Sequence, residues 1–172
     1  MPAIRFLHTS DLHLGKRFGR YPEEVRAELQ QARQAVLGRI ATAAQAQQVG
    51  HVLIAGDMFD TETPSDRAQR QALAVMAQAK DLQWWIIPGN HDVREAFKDA
   101  FPTTGVDANG FVNFGQTFGG VRFVMMDSIV PDHHHGTLCE QRLGWLRDEL
   151  ATHRDLPTFL FMHHPPMEMG LP

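Results

Sequence analysis

The 172-residue chain has one cysteine, Cys139, and no apolar run approaching the ~18 residues that mark a membrane span. A single thiol excludes an internal disulfide and any zinc cage built from several thiolates, and it fits a reducing compartment such as the cytoplasm. The opening Met1-Pro-Ala-Ile-Arg5 lacks the basic stretch and long apolar core of a secretory leader, so no export by a standard signal is expected. Basic residues are also scarce. Sixteen Lys and Arg stand against twenty Asp and Glu, giving a net charge of -4, which argues against a protein built to track a nucleic-acid backbone. Glycine and proline are modest at 14 and 10, and 43% of the residues are hydrophobic, as expected for one globular domain spanning residues 1–172 with a core of its own. What the chain has in excess is histidine. Ten are present, roughly two to three times ordinary usage for this length.

Apolar patterning alternates between strand-like and helix-like stretches. Ile4–His8 and His51–Ala55 read as strands, as does Gln83–Ile87, which Pro88-Gly89 ends. Between the first two, Val25, Leu29, Ala32, Val36, Ile40 and Ala43 form the stripe of one long amphipathic helix, stopped by Gly50. Ser65 caps a second helix running to Lys80. In the second half, Phe111–Phe114 and Val121–Asp127 read as strands of a hairpin around Gly119-Gly120. Pro131–Gly136 is a loop, Glu140–Leu150 a helix, and Thr158–Met162 a last strand. Ligands in open α/β sheets collect at the carboxyl ends of strands, and each of these strands runs into a polar cluster.

Those clusters supply a consistent set of ligand types. Asp11 and His13 follow the first strand, Asp57 and Asp60 the second, Asn90, His91 and Asp92 the third, and His163 the last. Carboxylate, imidazole and amide oxygen without sulfur suit divalent Mn, Fe, Zn or Co. A shared carboxylate such as Asp57 can bridge two ions about 3.5–4 Å apart, an arrangement used in phosphoryl chemistry.

Asp11-Leu-His13, Gly56-Asp57-Met-Phe-Asp60, Gly89-Asn90-His91-Asp92 and His163-His164-Pro-Pro resemble the successive motifs of the calcineurin-like metallophosphoesterases, in the same order, over positions 11 to 166. The resemblance implies a four-layer α/β/β/α sandwich carrying two divalent metal ions. One would be held by Asp11, His13 and Asp57, and the other by Asp57, Asn90 and His163. His91 would face the substrate phosphate as a catalytic group, with Asp92 helping to orient it. Asp60 and His164 would support the ligands from behind. The reaction implied is phosphodiester hydrolysis by metal-held hydroxide, with no serine or cysteine nucleophile. The remaining candidates read as structural. Asp127 braces a loop, His8 and His51 are core residues, and Trp84-Trp85 pack the sheet rather than stack on bases. Of the run His133-His134-His135, in an exposed loop at the rim, His135 is the candidate to touch substrate.

Two sets of relatives are suggested. Phe6–Phe18 together with Gly56–Thr61 is similar to the nuclease subunits of the bacterial SbcCD complexes. Met126–Leu138, Gln141–Leu146 and Phe161–Pro166 are similar to class III cyclic nucleotide phosphodiesterases and glycerophosphodiesterases. The acidic balance favours a small phosphodiester as substrate and places a nucleic acid second. The resemblance also implies a later Gly-His-x-His motif that this sequence lacks. The expectation is therefore a C-terminally incomplete domain with an open sheet edge that invites association with a second copy. A metal-binding domain without catalysis, or one completed by a partner, is the alternative.

Overall fold

The computed structural model describes residues 4–167. The expectations about the first three residues and about the end at Pro172 lie outside the described residues. In chain order the elements are β1 (Leu7–Thr9), α1 (Glu23–Gln34), α2 (Val36–Ala46), β2 (His51–Ala55), α3 (Asp66–Gln78), β3 (Gln83–Ile87), α4 (Arg94–Ala100), β4 (Phe114–Phe118), β5 (Val121–Met126), α5 (Glu140–Thr152) and β6 (Thr158–Met162).

Two three-stranded sheets result. The first has the order β1-β2-β3 and is all parallel; the second has the order β4-β5-β6, antiparallel in its first pair and parallel in its second. Strand β2 explains why its sequence is a continuous apolar run: both of its faces are buried. Val52 and Ile54 face a core shared with Leu37, Ala41 and Ala44 of α2 and Ala72 of α3, whereas Leu53 and Ala55 face a second core with Phe123 and Met125 of β5. The same alternation sends Trp84 into the helix-side core and Trp85 into the core between the sheets. On the outer side of the second sheet, α5 is tied to β5 by the Arg122–Glu149 ion pair. The layers are thus helices, sheet, sheet and helix.

Several local expectations change. The long first helix bends at Ala35 into α1 and α2. Residues of α2 are buried on the sheet but none of α1 is, so the apolar stripe serves two differently placed helices. Phe111–Asn113 are not strand; β4 begins at Phe114. The Gly119-Gly120 turn, with both residues at positive φ, sets the register by pairing Phe118 with Val121, but the ladder stops at Phe114 because Asn113 N turns back to Phe111 O at 2.8 Å and the Asn113 side-chain oxygen accepts from Asp127 N at 2.9 Å. Helix α4 leaves no signature in the sequence, because seven residues are too few to show a helical period. His8 is exposed on the outer strand β1, against the edge of the Phe161 ring, rather than in the core. His51, expected in the core, is half-buried and hydrogen-bonded, stacked on Phe118, with Nδ1 accepting from Trp85 Nε1 at 3.2 Å.

Candidate metal centre

The loops that follow β1 and β2 continue side by side beyond the strands. Asp11 N donates to Gly56 O at 3.1 Å, His13 N to Asp57 O at 3.0 Å and Leu14 N to Met58 O at 2.9 Å, which brings Asp11 and His13 beside Asp57. To aim these side chains the backbone enters the left-handed region at Asp11 (φ 56°), His13 (φ 44°) and Asp57 (φ 52°). Strained backbone of this kind persists only where the surroundings hold it, and here it falls on three of the five candidate ligands. Two glycines make the closeness feasible. A Cβ at Gly89 would fall on the Asp57 carboxylate and backbone, and one at Gly56, itself at φ 92°, would fall on the His163 ring.

Asp57 is the centre of the cluster and only 2% exposed. Its Oδ1 accepts from His91 N at 3.0 Å. Its Oδ2 faces three imidazole nitrogens: His163 Nε2 at 3.6 Å, His13 Nε2 at 3.9 Å and His91 Nε2 at 3.9 Å. Asp11 Oδ1 lies 3.7 Å from His13 Nε2, and its carboxylate accepts from Ser10 Oγ. Potential ligand atoms gather in two groups, His13–Asp57–His91 and Asp11–Asp57–His163, each within 4.8 Å. Asp57 is common to both, as the bridge expected from sequence would be. The structure gathers His91 with His13 in one group and Asp11 with His163 in the other, while Asp11 also stays beside His13.

Protonation states test whether a cation suits this cluster. His163 Nδ1 donates to Ala55 O at 2.9 Å, so a neutral ring carries no proton on Nε2. That nitrogen nevertheless sits 3.0 Å from Asn90 Oδ1 and 3.6 Å from Asp57 Oδ2. With Asn90 presenting Oδ1, three lone-pair donors converge, an arrangement that a second proton or a cation reconciles. His13 Nδ1 is likewise buried without a hydrogen bond, 3.3 Å from Asp60 Oδ1, and Asp60 is held by Lys16 Nζ at 2.9 Å. The donor set fits divalent cations.

The surrounding residues show which supports were legible in the sequence. Burial, reinforced by the neighbouring Asp57 charge, pushes the Asp92 carboxyl up to about 7. Its Oδ2 accepts from Gly89 N at 2.8 Å. Asp92 therefore holds the turn under Asn90 and makes no hydrogen bond to the His91 ring, contrary to the orienting role expected for it. His164 is buried, with Nδ1 against Ser128 Oγ at 2.8 Å and Nε2 donating to His134 O at 3.1 Å. Burial lowers its pKa, as it does for His13. In the histidine run, His134 and not His135 reaches the cluster: its Nδ1 is 3.1 Å from Asn90 Nδ2 and its ring is 6.1 Å from that of His91. His135 is exposed and lies beside His133, the two rings tilted by 39°. Residue type marked the run, but side-chain direction in a loop follows no period. Asp127 does brace, and more than a loop. It is fully buried, its oxygens accept from Arg94, Val112 N and Ile129 N, and Arg94 and Arg142 both lie over the Phe111 ring.

Residues 4–170 match the family described as Calcineurin-like phosphoesterase. The chain belongs to this family. It is 44% identical over 89 residues to a probable cyclic nucleotide phosphodiesterase of Rhodopseudomonas palustris, covering 50% of this chain and 32% of that protein. With a probable cyclic nucleotide phosphodiesterase of Rhodococcus erythropolis it shares 32% identity over 168 residues, covering 96% of this chain and 54% of that protein. A subunit of the SbcCD nuclease of Escherichia coli is 37% identical over 91 residues, 52% of this chain and 21% of that one. The chain spans about half the length of these curated relatives or less. Among solved structures, a dimetal phosphatase from Danio rerio superposes with a TM-score of 0.69 over 94% of this chain and 70% of its own, at 15% identity, which establishes the common fold. No helix among the described residues is long and apolar enough to cross a membrane.

Proposed function

We propose that the protein is a divalent-metal-dependent phosphodiesterase acting on small phosphodiesters, of the cyclic nucleotide or glycerophosphodiester type. The observation that carries this reading is the convergence of His13, His91 and His163 nitrogens on the buried carboxylate of Asp57, with the Asn90 amide oxygen set against His163 Nε2. Asp11, His13, Asp57, Asn90 and His163 would hold two ions, which supply positive charge to phosphate oxygens and acidify a water. His91 is part-exposed beside the cluster, and its ring N–H donates to the oxygen of the departing alcohol. Asp57 accepts the His91 backbone N–H, so its carboxylate also fixes where that ring begins. A cavity of about 320 Å³ opens beside Asn90 and Asp92, between the start of α4 and residues 129–132. That volume suits the alcohol half of a small diester. Its one cation is already committed, since Arg94 is bound to Asp127 and Ile129 O, so nothing there gathers a polyanion.

The kinship with a nuclease subunit supports a second reading, cleavage of DNA. Cleavage of bis(p-nitrophenyl) phosphate, cyclic nucleotides, glycerophosphodiesters and DNA ends with added Mn²⁺ separates the two. The proposal expects turnover of small diesters that is insensitive to moderate salt. Turnover of DNA alone, falling steeply with salt, would overturn it.

A further inference from the structure

The loop between β5 and α5 is closed on itself and clamped onto the strand end that carries His163. Thr137 N donates to Ser128 O at 3.0 Å and His133 N to Val130 O at 3.1 Å, while Ile129 and Gly136 form a bridge. From the other side, the buried His164 donates from Nε2 to His134 O, and its backbone N and Nδ1 both meet Ser128 Oγ. Gly136 lies so close to the His164 ring that a Cβ there would collide with it. Such a loop is bolted at both ends. Toward the Asn90 side chain it delivers the His134 ring, which takes Asn90 Nδ2 at 3.1 Å.

An amide can present either its oxygen or its nitrogen to a neighbour, and the two choices have opposite consequences at this place. With Nδ2 engaged by His134, Oδ1 is left facing His163 Nε2 at 3.0 Å, as a ligand oxygen must. With the amide turned over, its N–H would donate to His163 and occupy the lone pair needed for a cation. We propose that His134 is a positioning residue: by accepting from Asn90 Nδ2, it locks the Asn90 amide with its oxygen toward the Asp57–His163 cluster. This rests on the metal-centre reading above and assigns a task to a residue no motif marks. It also gives His164 a purpose, because the hydrogen bond to the His134 carbonyl sets the height of the ring over Asn90.

Calorimetric titration of the chain with Mn²⁺, and with Co²⁺ followed by visible absorption, tests the assignment without relying on turnover. Removing a group that orients a ligand typically weakens metal affinity about 10–100-fold. For His134→Ala we expect about a 10-fold or greater loss at one of two sites and an altered Co²⁺ spectrum. His134→Gln, which keeps an acceptor, should recover part of the loss, and His133→Ala should titrate like the unaltered chain. The His134 ring is exposed, and the loop is held through backbone and Ser128, so the variant retains its fold and near-ultraviolet circular dichroism checks this. Wild-type affinity in His134→Ala, or a loss that His134→Gln does not relieve, overturns the assignment. Absence of Mn²⁺ and Co²⁺ uptake by the unaltered chain overturns the metal-centre reading itself and the assignment with it.

Discussion

Asp92 offers a quantitative test, because its burial has a thermodynamic cost of known sign. In the fold its carboxyl is pushed up to about 7, first by burial and then by the neighbouring Asp57 charge, against 3.8 in an exposed setting. Between those pH values the folded chain retains a proton that the unfolded chain releases. The contribution of Asp92 to stability is therefore fully present below about 3.8 and is lost as pH rises through about 7. At 1.36 kcal/mol per pH unit the gap corresponds to about 4 kcal/mol as a ceiling, and relaxation and water entry bring the expected value nearer ~2 kcal/mol. Asp92→Asn keeps an oxygen for the Gly89 N–H and removes the titration. With EDTA present, urea unfolding at pH 4 and pH 8, which together span nearly the whole gap, should show the variant gaining about 2 kcal/mol over the parent on going to the higher pH. In a thermal melt this is a relative rise of roughly 4–8 °C for a chain of this size. The comparison between variant and parent is essential. The part-buried His13 and the buried His164 have lowered pKa values, and their contributions rise with pH over part of the same range. Equal pH dependence in variant and parent would refute the argument, since the carboxyl would then cost nothing to ionise in place.

Gly89→Ala should lose about 1–3 kcal/mol and weaken Mn²⁺ binding, because the added Cβ lands on the Asp57 side chain and backbone; an unchanged melt and calorimetric titration would contradict that. His91→Ala should lower kcat about 10²-fold or more while leaving Mn²⁺ affinity unchanged if the ring serves the departing oxygen, whereas a parallel fall in affinity would make it a ligand alongside His13 and Asp57. Asp127→Asn should cost about 3–5 kcal/mol in urea unfolding, since it strips the charge partner from Arg94, and a loss under about 1 kcal/mol would show that the buried pair contributes little.

Much of the centre is legible in the sequence because ligand chemistry demands residue types and strand ends supply their places. Asp11, His13, Asp57, Asn90 and His163 each follow a short apolar stretch, and the parallel register Leu7↔Val52 and Val52↔Trp84 then carries all three N-terminal loops to one end of the first sheet. The supports are harder to read. Ser128, Arg94 and Arg142 act on loops distant in sequence, and His134 is hidden among three adjacent histidines whose directions a loop does not encode. By its place in the chain Asp92 reads as a partner of the residue beside it, yet its oxygen goes to Gly89 N, because the turn folds the chain back by three residues.

Sequence alone specified the alternation of strands and helices, the hairpin at Gly119-Gly120, the family, and which residue types suit a divalent cation. These are local properties, set by the periodicity of burial, the dihedral freedom of glycine and the protonation chemistry of single side chains. Tertiary structure alone decided that Asp57 Oδ2 faces three imidazoles, that His163 is tied through Nδ1 to Ala55 so that Nε2 turns inward, and that His134 reaches Asn90 while His135 does not. Those are questions of direction and of distances between 2.9 and 3.9 Å, across residues up to 108 positions apart. They are settled by how two sheets pack and where a clamped loop ends, which no local pattern records.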